Sequence, residues 1–338
     1  MTRYSRQELF AGIGPEGQAQ IRRSNVAVAG CGALGSVLAE IMVRAGVGSL
    51  TVIDRDFVEE SNLQRQVLFD EEDVACGLPK AIAAEARLRR INGDVSIRGV
   101  VADLSADNID EILKGTDLVL DGTDNFETRF LINDFCVRDG IPWIYGACVG
   151  SYGLALLVRP KRSPCLRCVL EEMPPPGSGP TCDTAGVVAP IVHVIAGIQA
   201  GEALKVLAGR SQDLLPGIVT VDLWQGVFDV LDLARRAPSC PACTAGRFDS
   251  LAPVPAGGAA FLCGRDAVQV RPPHGSRIDL PSLARRLAAV GDVSANEYLV
   301  RFSSREANLV VFGDGRAIVK GVKDPAQART VYAKYVGS

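Results

Sequence analysis

One short segment near the start of the chain constrains the fold more than any other feature. The apolar run 26–30 is typical of a strand, and Gly30, Gly32 and Gly35 follow in a G-x-G-x-x-G pattern that leads into helical periodicity. A second apolar run, Ser49–Ile53, is typical of another strand. This order predicts a β-α-β unit whose glycines allow a tight turn and let a phosphate approach the helix N-terminus.

Asp54 follows the second predicted strand, about 20 residues after Gly35, the spacing expected for the acidic residue of such a unit. A carboxylate at that strand end can accept hydrogen bonds from ribose hydroxyls. The glycines and Asp54 therefore predict a nucleotide site. They do not select the nucleotide, since NAD, FAD and ATP sites use the same geometry.

Three further charged residues favour a triphosphate. Arg65, Lys80 and Asp124 lie in segments that follow the predicted strands. A site that breaks a triphosphate needs Arg and Lys to neutralise the leaving pyrophosphate and a carboxylate to hold Mg²⁺, whereas a nicotinamide site does not. Taken singly, each residue is also compatible with an ordinary surface position.

Strand and helix patterns alternate as far as about residue 147, which predicts an α/β, Rossmann-like doubly wound sheet of parallel strands. Beyond it, Ile218–Asp222 and Val227–Leu231 predict an antiparallel extension. The long apolar stretch Val187–Ala208 contains Glu202 and Lys205. Because membrane spans rarely carry such charges, we expect a buried core helix there.

The segment 252–258 is rich in proline, alanine and glycine and is a credible linker. After it the strand and helix patterns resume over about 80 residues, the size of a small domain. We therefore predict two domains: residues 1–250 with the nucleotide site, and residues 251–338 as a small C-terminal α+β accessory domain.

Overall charge and the first residues exclude other functions. The chain has 36 basic and 39 acidic residues and a net charge of −3, without the basic surplus that nucleic-acid binding requires. Residues 1–7 contain no apolar signal-peptide core. We expect a cytoplasmic protein with neither nucleic-acid nor membrane partners, in which paired cysteines indicate metal binding or catalysis.

Two C-x-x-C pairs stand far apart in the sequence, Cys165 with Cys168 and Cys240 with Cys243. Four thiolates can make a closed tetrahedral zinc site, which is structural because no ligand position is open. The separation between the pairs is much longer than in a ribbon-type zinc finger. Unrelated thiols and a thioredoxin-like redox pair therefore stay open as alternatives.

Five short motifs are spaced along about residues 1–245. They are Arg3–Gln7, Gly30–Gly35, Ser61–Gln66, Gly77–Lys80 and Thr123–Asn125. Together they resemble the ThiF/MoeB/HesA family, the bacterial relatives of ubiquitin-activating enzymes. The resemblance implies Mg-ATP-dependent adenylation of the C-terminal glycine of a ubiquitin-fold sulfur carrier protein that ends in Gly-Gly, with release of pyrophosphate. Such a reaction needs no general base, because the carrier carboxylate is already ionised at neutral pH.

The resemblance also implies roles for individual residues. The roles are ribose binding by Asp54, phosphate contacts by Asn62, Arg65 and Lys80, and Mg²⁺ binding by Asp124. In the family the arginine at the position of Arg6 reaches into the ATP site of the other subunit, which implies a homodimer. The family has a four-cysteine zinc site at the positions of the two C-x-x-C pairs.

Cys182 follows the proline-rich segment 174–180. A thiol on a loop at a helix N-terminus can attack an acyl-adenylate. Relatives carry a cysteine here that forms a thioester or an acyl-disulfide with the carrier in some members and is dispensable in others. A covalent role and an ordinary loop cysteine both stay open.

The remaining cysteines are expected to have packing roles. They are Cys31, Cys76, Cys136, Cys148 and Cys263. We expect His193 to be a core residue of the long apolar helix, and His274 lies in a proline-rich loop without nearby ligands.

Carriers of this kind serve thiamine-thiazole biosynthesis, molybdopterin synthesis or tRNA thiolation. The tail resembles the extension of longer ThiF-type proteins, which favours a ThiS-like carrier of the thiazole branch. It has no rhodanese-type cysteine loop, so a separate cysteine desulfurase or other sulfur donor is implied. The alternatives from other classes are an NAD-dependent oxidoreductase, which leaves Arg65, Lys80 and the cysteine pairs unexplained, and a catalytically silent binding scaffold.

Overall fold

The computed structural model describes residues 3–175, 179, 181–233, 239–252, 259–262, 267–270, 277–322 and 324–337. The chain divides into two compact units, one of residues 1–175 and 180–252 and the other of residues 253–338 with the short segment 176–179. The predictions made for Cys263, for His274, for the linker at 253–258 and for the middle of the proline-rich segment lie outside the described residues.

Strands and helices alternate through most of the first unit. Its strands are β1 (Asn25–Ala29), β2 (Ser49–Asp54), β3 (Ser96–Val101), β4 (Leu118–Asp121), β5 (Trp143–Val149), β6 (Tyr152–Val158), β7 (Gly217–Asp222) and β8 (Val227–Asp232). Its helices are α1 (Ser5–Glu8), α2 (Gly14–Ile21), α3 (Ala33–Ala45), α4 (Glu71–Cys76), α5 (Lys80–Ile91), α6 (Ile109–Ile112), α7 (Phe126–Asp139), α8 (Leu166–Val169), α9 (Cys182–Ala185) and α10 (Ala189–Leu207).

These strands form one sheet in the order β3-β2-β1-β4-β5-β6-β7-β8. The pairs from β3 to β5 are parallel, and the pairs from β5 to β8 are antiparallel. Val26 and Val28 of β1 enter one core, while Ala27 and Ala29 enter the other. Both faces of the central strand are buried, which explains its continuous apolar sequence. The predicted Rossmann-like sheet with an antiparallel extension is confirmed.

Helix α10 lies in the first of these cores, against α3, β5 and β6. Its length and hydropathy would suit a membrane span, but half of its most apolar window is buried within the protein. Two of its buried polar side chains make hydrogen bonds. Gln199 Nε2 donates to the carbonyls of Asp121 and Ile144 at 3.0 and 3.1 Å. Glu202 accepts from the Leu215 amide at 2.9 Å. These contacts agree with the prediction that this segment is a buried core helix.

Helices α1 and α2 are not predicted by the sequence analysis. They are short, and long-range hydrogen bonds hold them in place. The Tyr4 hydroxyl accepts from Asn92 Nδ2 at 2.8 Å, and Gln18 Nε2 donates to the Ala45 carbonyl at 3.0 Å. Helices this short depend on tertiary contacts rather than on their own periodicity, which is why the sequence pattern misses them.

The described residues of the second unit form an antiparallel sheet and two helices. Its elements are β9 (Ala259–Leu262), β10 (Ala267–Val270), α11 (Leu280–Leu287), β11 (Asp292–Ala295), β12 (Leu299–Ser303), β13 (Asn308–Phe312), β14 (Ala317–Lys320) and α12 (Pro325–Tyr335). The strand order is β11-β12-β13-β14-β10-β9. Gly315, with a φ of 84°, lies in the turn between β13 and β14, and the Asp314-Gly315 dipeptide is a typical signal for such a turn. The sequence pattern predicts the α+β class of this unit but not β9 or β11.

Candidate functional site

The chain order of the first sheet reverses at β1, whose neighbours are β2 on one side and β4 on the other. Ligands of open α/β sheets bind at such a point, outside the carboxyl ends of the strands. The segments at the carboxyl ends of β1, β2 and β4 are Gly30–Gly35, Asp54 and Gly122–Asp124. We call this set the glycine edge. At this edge, three segments that lie far apart in the sequence come together.

The glycines of this edge serve two different purposes. A Cβ on Gly35 would lie 1.8 Å from the Gly30 carbonyl oxygen, and one on Gly122 would lie 2.6 Å from the same atom. These glycines therefore let backbone segments touch. Gly30 also has a φ of 84°, which favours glycine. A Cβ on Gly32 would meet nothing nearer than 3.9 Å, so the space in front of Gly32 is open to a ligand.

Gln66 borders this open space and is not among the predicted site residues. Its side-chain nitrogen is one of the two atoms that lie 3.9 Å from a Cβ built on Gly32. Gln66 is 4% exposed, and its Oε1 has no hydrogen-bond partner among the described residues. A ligand in front of Gly32 would therefore meet the side-chain nitrogen of Gln66, which is a hydrogen-bond donor. Gly122, whose carbonyl oxygen also lies 3.9 Å from a Cβ built on Gly32, is not among the predicted site residues either.

Asp54 is buried at the carboxyl end of β2. Its Oδ2 accepts from the Cys31 amide at 2.6 Å, and its Oδ1 accepts from the Asp56 amide at 2.7 Å. The first bond ties β2 to the glycine turn. Burial raises the pKa of Asp54, and the positive charge of Lys80 opposes that rise. Each carboxylate oxygen has a further lone pair, so Asp54 can still accept a hydroxyl.

Lys80 is the first residue of α5 and is 3% exposed. Its Nζ lies 3.6 Å from Asp56 Oδ2, and its amide donates to the Asp56 carbonyl at 2.9 Å. The ammonium group therefore lies next to the carboxylates of Asp54 and Asp56, which offset the cost of burying it. The structure brings Lys80 to the glycine edge, as the sequence analysis expects of a phosphate-binding cation.

Asn62 and Arg65 precede Gln66 on the same turn. Asn62 Oδ1 accepts from the Glu59 amide at 3.0 Å. The other end of the Asn62 side chain, its Nδ2 group, is a donor and is the end that would contact a phosphate. Arg65 is half-buried, and its Nη1 donates to the Ser61 carbonyl at 2.8 Å. Because Gln66 lies beside Gly32, this turn borders the glycine edge.

Asp124 is exposed on the loop between β4 and α7. Its Oδ1 accepts from Asn125 Nδ2 at 3.3 Å. Asn125 is the N-cap of α7, where its Oδ1 accepts from the Thr128 amide at 2.8 Å. An exposed carboxylate at the glycine edge has the chemistry of a magnesium ligand.

Arg6, the residue predicted to reach the other subunit, is also exposed and lies on α1.

The four paired cysteines converge in space. The Sγ atoms of Cys165 and Cys240 are 3.6 Å apart, those of Cys165 and Cys168 are 3.9 Å apart, and those of Cys168 and Cys243 are 3.3 Å apart. All four lie within 4.8 Å of one another. A tetrahedron with zinc–sulfur bonds of about 2.3 Å has sulfur–sulfur edges of about 3.8 Å. The cluster therefore has the dimensions of a four-cysteine zinc site.

Helix α7 holds this cluster in place. Asn133 Oδ1 accepts from the Leu166 amide at 2.9 Å. Asp134 Oδ2 lies 3.4 Å from Arg167 Nη1 and accepts from the Ser250 amide at 3.1 Å. Both α7 side chains are fully buried. The helix therefore anchors the segments on either side of the cysteines.

Cys182 is the first residue of α9, a helix of four residues. Its Sγ donates to the Cys148 carbonyl at 3.2 Å, and the side chain is half-buried. Thr181 caps this short helix, with its side chain accepting from the Thr184 amide. The loop is therefore locally ordered around the thiol.

Two packing predictions are wrong. Cys76 is exposed at the end of α4, because that short helix buries none of its residues. His193 is exposed on α10, because a different face of this helix is buried. The packing roles of Cys31, Cys136 and Cys148 are confirmed, since all three are buried.

The fold and the glycine edge define a Rossmann-like nucleotide-binding protein with a four-cysteine cluster. The family model that matches residues 4–242 is described as the ThiF family. The chain belongs to the ThiF family.

Two relatives differ in how much of the chain they match. The sulfur carrier protein ThiS adenylyltransferase of Bacillus subtilis is 46% identical over 337 residues, which cover 99% of each protein. The sulfur carrier protein adenylyltransferase of Thermus thermophilus is 41% identical over 248 residues, or 72% of this chain and 90% of that protein. Among solved structures, Escherichia coli MccB with ATP has a TM-score of 0.62 at 23% identity, covering 72% of this chain and 74% of that one. That likeness concerns the fold.

Proposed function

We propose that the protein adenylates the C-terminal glycine of a ThiS-like, ubiquitin-fold sulfur carrier, as the activation step for sulfur transfer in thiamine-thiazole biosynthesis. The 46% identity to a ThiS adenylyltransferase carries the proposal, because it extends over 99% of both chains and so includes the second unit. The open space at Gly32 and the surrounding polar side chains are consistent with ATP as the activating substrate.

The glycine edge supplies the chemistry that this reaction needs. The carrier carboxylate is ionised at neutral pH and attacks the α-phosphate without a general base. Amide groups at the start of α3 receive phosphate oxygens, while Arg65 and Lys80 neutralise the charge that develops on the leaving pyrophosphate. Asp54 accepts the ribose hydroxyls, and the donor end of the Asn62 amide contacts a phosphate.

Asp124 is the residue that would hold Mg²⁺, because it is an exposed carboxylate on the loop beside the glycine edge. The ion, when bound, supplies further neutralisation of the phosphates. Asp124 itself fixes where the metal-nucleotide complex sits relative to the amides of α3.

Zinc is the metal we assign to the four-cysteine cluster. Three of the six sulfur–sulfur separations, at 3.3–3.9 Å, bracket the edge of a zinc–thiolate tetrahedron, and all six are within 4.8 Å. Four protein ligands leave no open position, so the role is structural. The site would fix the segments after α7 that contain the two C-x-x-C pairs.

Cys182 is the candidate for a covalent step after adenylation. Its thiol sulfur would attack the acyl carbon of the carrier adenylate, forming a thioester as AMP leaves, with the thiol proton released to solvent. Its partial exposure on the loop before α10 is compatible with access by a carrier tail.

The remaining assignments concern partners and place. We propose a cytoplasmic homodimer in which the exposed Arg6 completes the ATP site of the other subunit. A cysteine desulfurase or another donor supplies the sulfur. Residues 1–250 form the adenylation domain, and residues 251–338 form an accessory domain that takes part in docking the carrier.

A comparison of carriers tests the proposal. Pyrophosphate release is measured with equal concentrations of a ThiS-type carrier, the small subunit of molybdopterin synthase and a tRNA-thiolation carrier. The proposal predicts the highest kcat/KM for the ThiS-type carrier. A preference for either of the other carriers would assign the protein to that pathway instead, and NADH turnover without pyrophosphate release would restore the oxidoreductase alternative.

A further inference from the structure

Arg129 is a buried arginine in α7 that the proposed function does not use. It is 7% exposed and faces the end of β4. Its Nε lies 3.3 Å from Asp121 Oδ2. Its Nη2 donates to the Thr123 carbonyl at 2.7 Å and to the Gly146 carbonyl at 3.4 Å. One guanidinium group thus contacts the last residue of β4, the loop that follows it, and β5.

Asp121 distributes its two carboxylate oxygens between this arginine and the loop. While Oδ2 faces Arg129, Oδ1 accepts from the Thr123 amide at 2.9 Å and from its hydroxyl at 2.7 Å. Thr123 is therefore held on three sides, through its amide, its hydroxyl and its carbonyl. The next residue in the chain is Asp124, so these bonds set the direction in which the loop presents that carboxylate.

The aromatic rings around Arg129 fix it further. Its guanidinium carbon lies 5.4 Å from the ring centre of Phe126 and 5.1 Å from that of Tyr145. Burial alone would lower the pKa of Arg129, but the charges of Asp121 and Asp124 act in the other direction and the pKa is raised. Arg129 therefore also acts electrostatically on Asp124.

A buried ion pair is a costly way to attach a helix to a sheet, since apolar side chains of similar volume often do so at least as well. The fork of a guanidinium, however, can bind several acceptors in one fixed geometry, which an ammonium group cannot. We propose that Arg129 is a positioning residue that fixes the loop Gly122–Asp124 for binding of the metal-nucleotide complex. This inference rests on the proposed role of Asp124 in the adenylation reaction.

Substitution of two buried arginines of α7 and its surroundings, one at each site, tests the positioning role of Arg129. Arg129→Gln removes the contacts at the glycine edge, whereas Arg167→Gln removes another buried arginine that pairs with α7, through Asp134, at the cysteine cluster. The readout is the Mg²⁺ concentration that gives half-maximal binding of a fluorescent ATP analogue to the full chain, measured without carrier and beside the melting temperature. Both variants lower the melting temperature. Arg129→Gln raises the half-saturating Mg²⁺ about tenfold, or one decade of affinity, and Arg167→Gln leaves it unchanged.

Two milder variants keep the inference testable if Arg129→Gln does not fold. Arg129→Lys retains the charge but not the fork, and Thr123→Val removes the hydroxyl bond to Asp121; both should raise the half-saturating Mg²⁺ less than Arg129→Gln. Equal Mg²⁺ dependence in wild type and these variants, or an equal shift in Arg167→Gln, would overturn the positioning role. Since binding is measured without carrier, a failure of carrier-dependent pyrophosphate release would refute the proposed function separately.

Discussion

Helix α7 connects two regions that use polar groups in opposite ways. At its amino-terminal end, the glycine edge borders open space: Gly32 has no near neighbour, the side-chain nitrogen of Gln66 lies beside that space, and Asp124 is exposed. Further along α7, Asn133 and Asp134 hold a cluster in which four sulfur atoms face one another. The first region is open to solvent, whereas the four sulfur atoms of the second could hold an ion between them.

Removing one sulfur from the closed region should have the largest effect. Cys240→Ser would break a site whose metal contributes on the order of several kcal/mol to folding, a large part of the stability of an ordinary domain. We expect loss of zinc by mass spectrometry and a much lower melting temperature. The matched control is Cys76→Ser, which changes an exposed cysteine of α4 and should change neither quantity. Full zinc content and an unchanged melting temperature in Cys240→Ser would contradict the zinc assignment.

Two glycines of the open region should respond differently. A methyl group at Gly35 would lie 1.8 Å from the Gly30 carbonyl, so Gly35→Ala must displace backbone, with an expected cost of about 1–3 kcal/mol and weaker ATP binding. The methyl group of Gly32→Ala would meet nothing nearer than 3.9 Å. We expect that variant to melt like the wild type but to bind ATP at least about tenfold more weakly, as measured by calorimetry. Normal ATP affinity in Gly32→Ala would show that the phosphates do not lie there.

Cys182 lies in neither region, and its substitution should affect only the sulfur transfer that follows adenylation. In Cys182→Ala we expect carrier-dependent pyrophosphate exchange into ATP to stay at the wild-type rate, because the thiol has no part in forming the adenylate. Sulfur transfer to the carrier should fall by at least about tenfold, as expected for loss of a nucleophile. Mass analysis of the carrier for thiocarboxylate measures the transfer, and an unchanged yield would remove the covalent role.

The smallest effect concerns the second unit. The Thermus relative matches 72% of this chain and 90% of its own length, so more than a quarter of this chain lies outside the match. If the second unit helps to dock the carrier, a chain ending at residue 252 should show a KM for carrier raised several-fold, with kcat nearly unchanged. An unchanged KM in a chain that still binds ATP would argue against docking.

The sequence indicates how the open region assembles more directly than it does for the closed one, for a physical reason. The turn Gly30–Gly35 and Asp54 belong to one contiguous β-α-β unit, whose local spacing carries the geometry. The cysteine pairs are brought together by the sheet and by Asn133 and Asp134. No local sequence pattern predicts these long-range contacts.

Arg129 and Gln66 are missed for a related reason. The importance of Arg129 depends on acceptors in two other elements, and that of Gln66 depends on its distance from Gly32. In the same way, His193 lies in an apolar helix, but only the packing of α10 shows that it faces outward. Side-chain direction relative to distant elements is what the sequence pattern leaves undetermined.

Pyrophosphate exchange into ATP is the sharpest test of whether the protein adenylates its carrier. The full chain is incubated with Mg-ATP, labelled pyrophosphate and a ThiS-type carrier, either intact or lacking its last glycine. Adenylation of the carrier terminus predicts rapid exchange with the intact carrier and only background exchange with the shortened one. Equal exchange with both carriers, or none with the intact carrier while the protein still binds ATP, would contradict it.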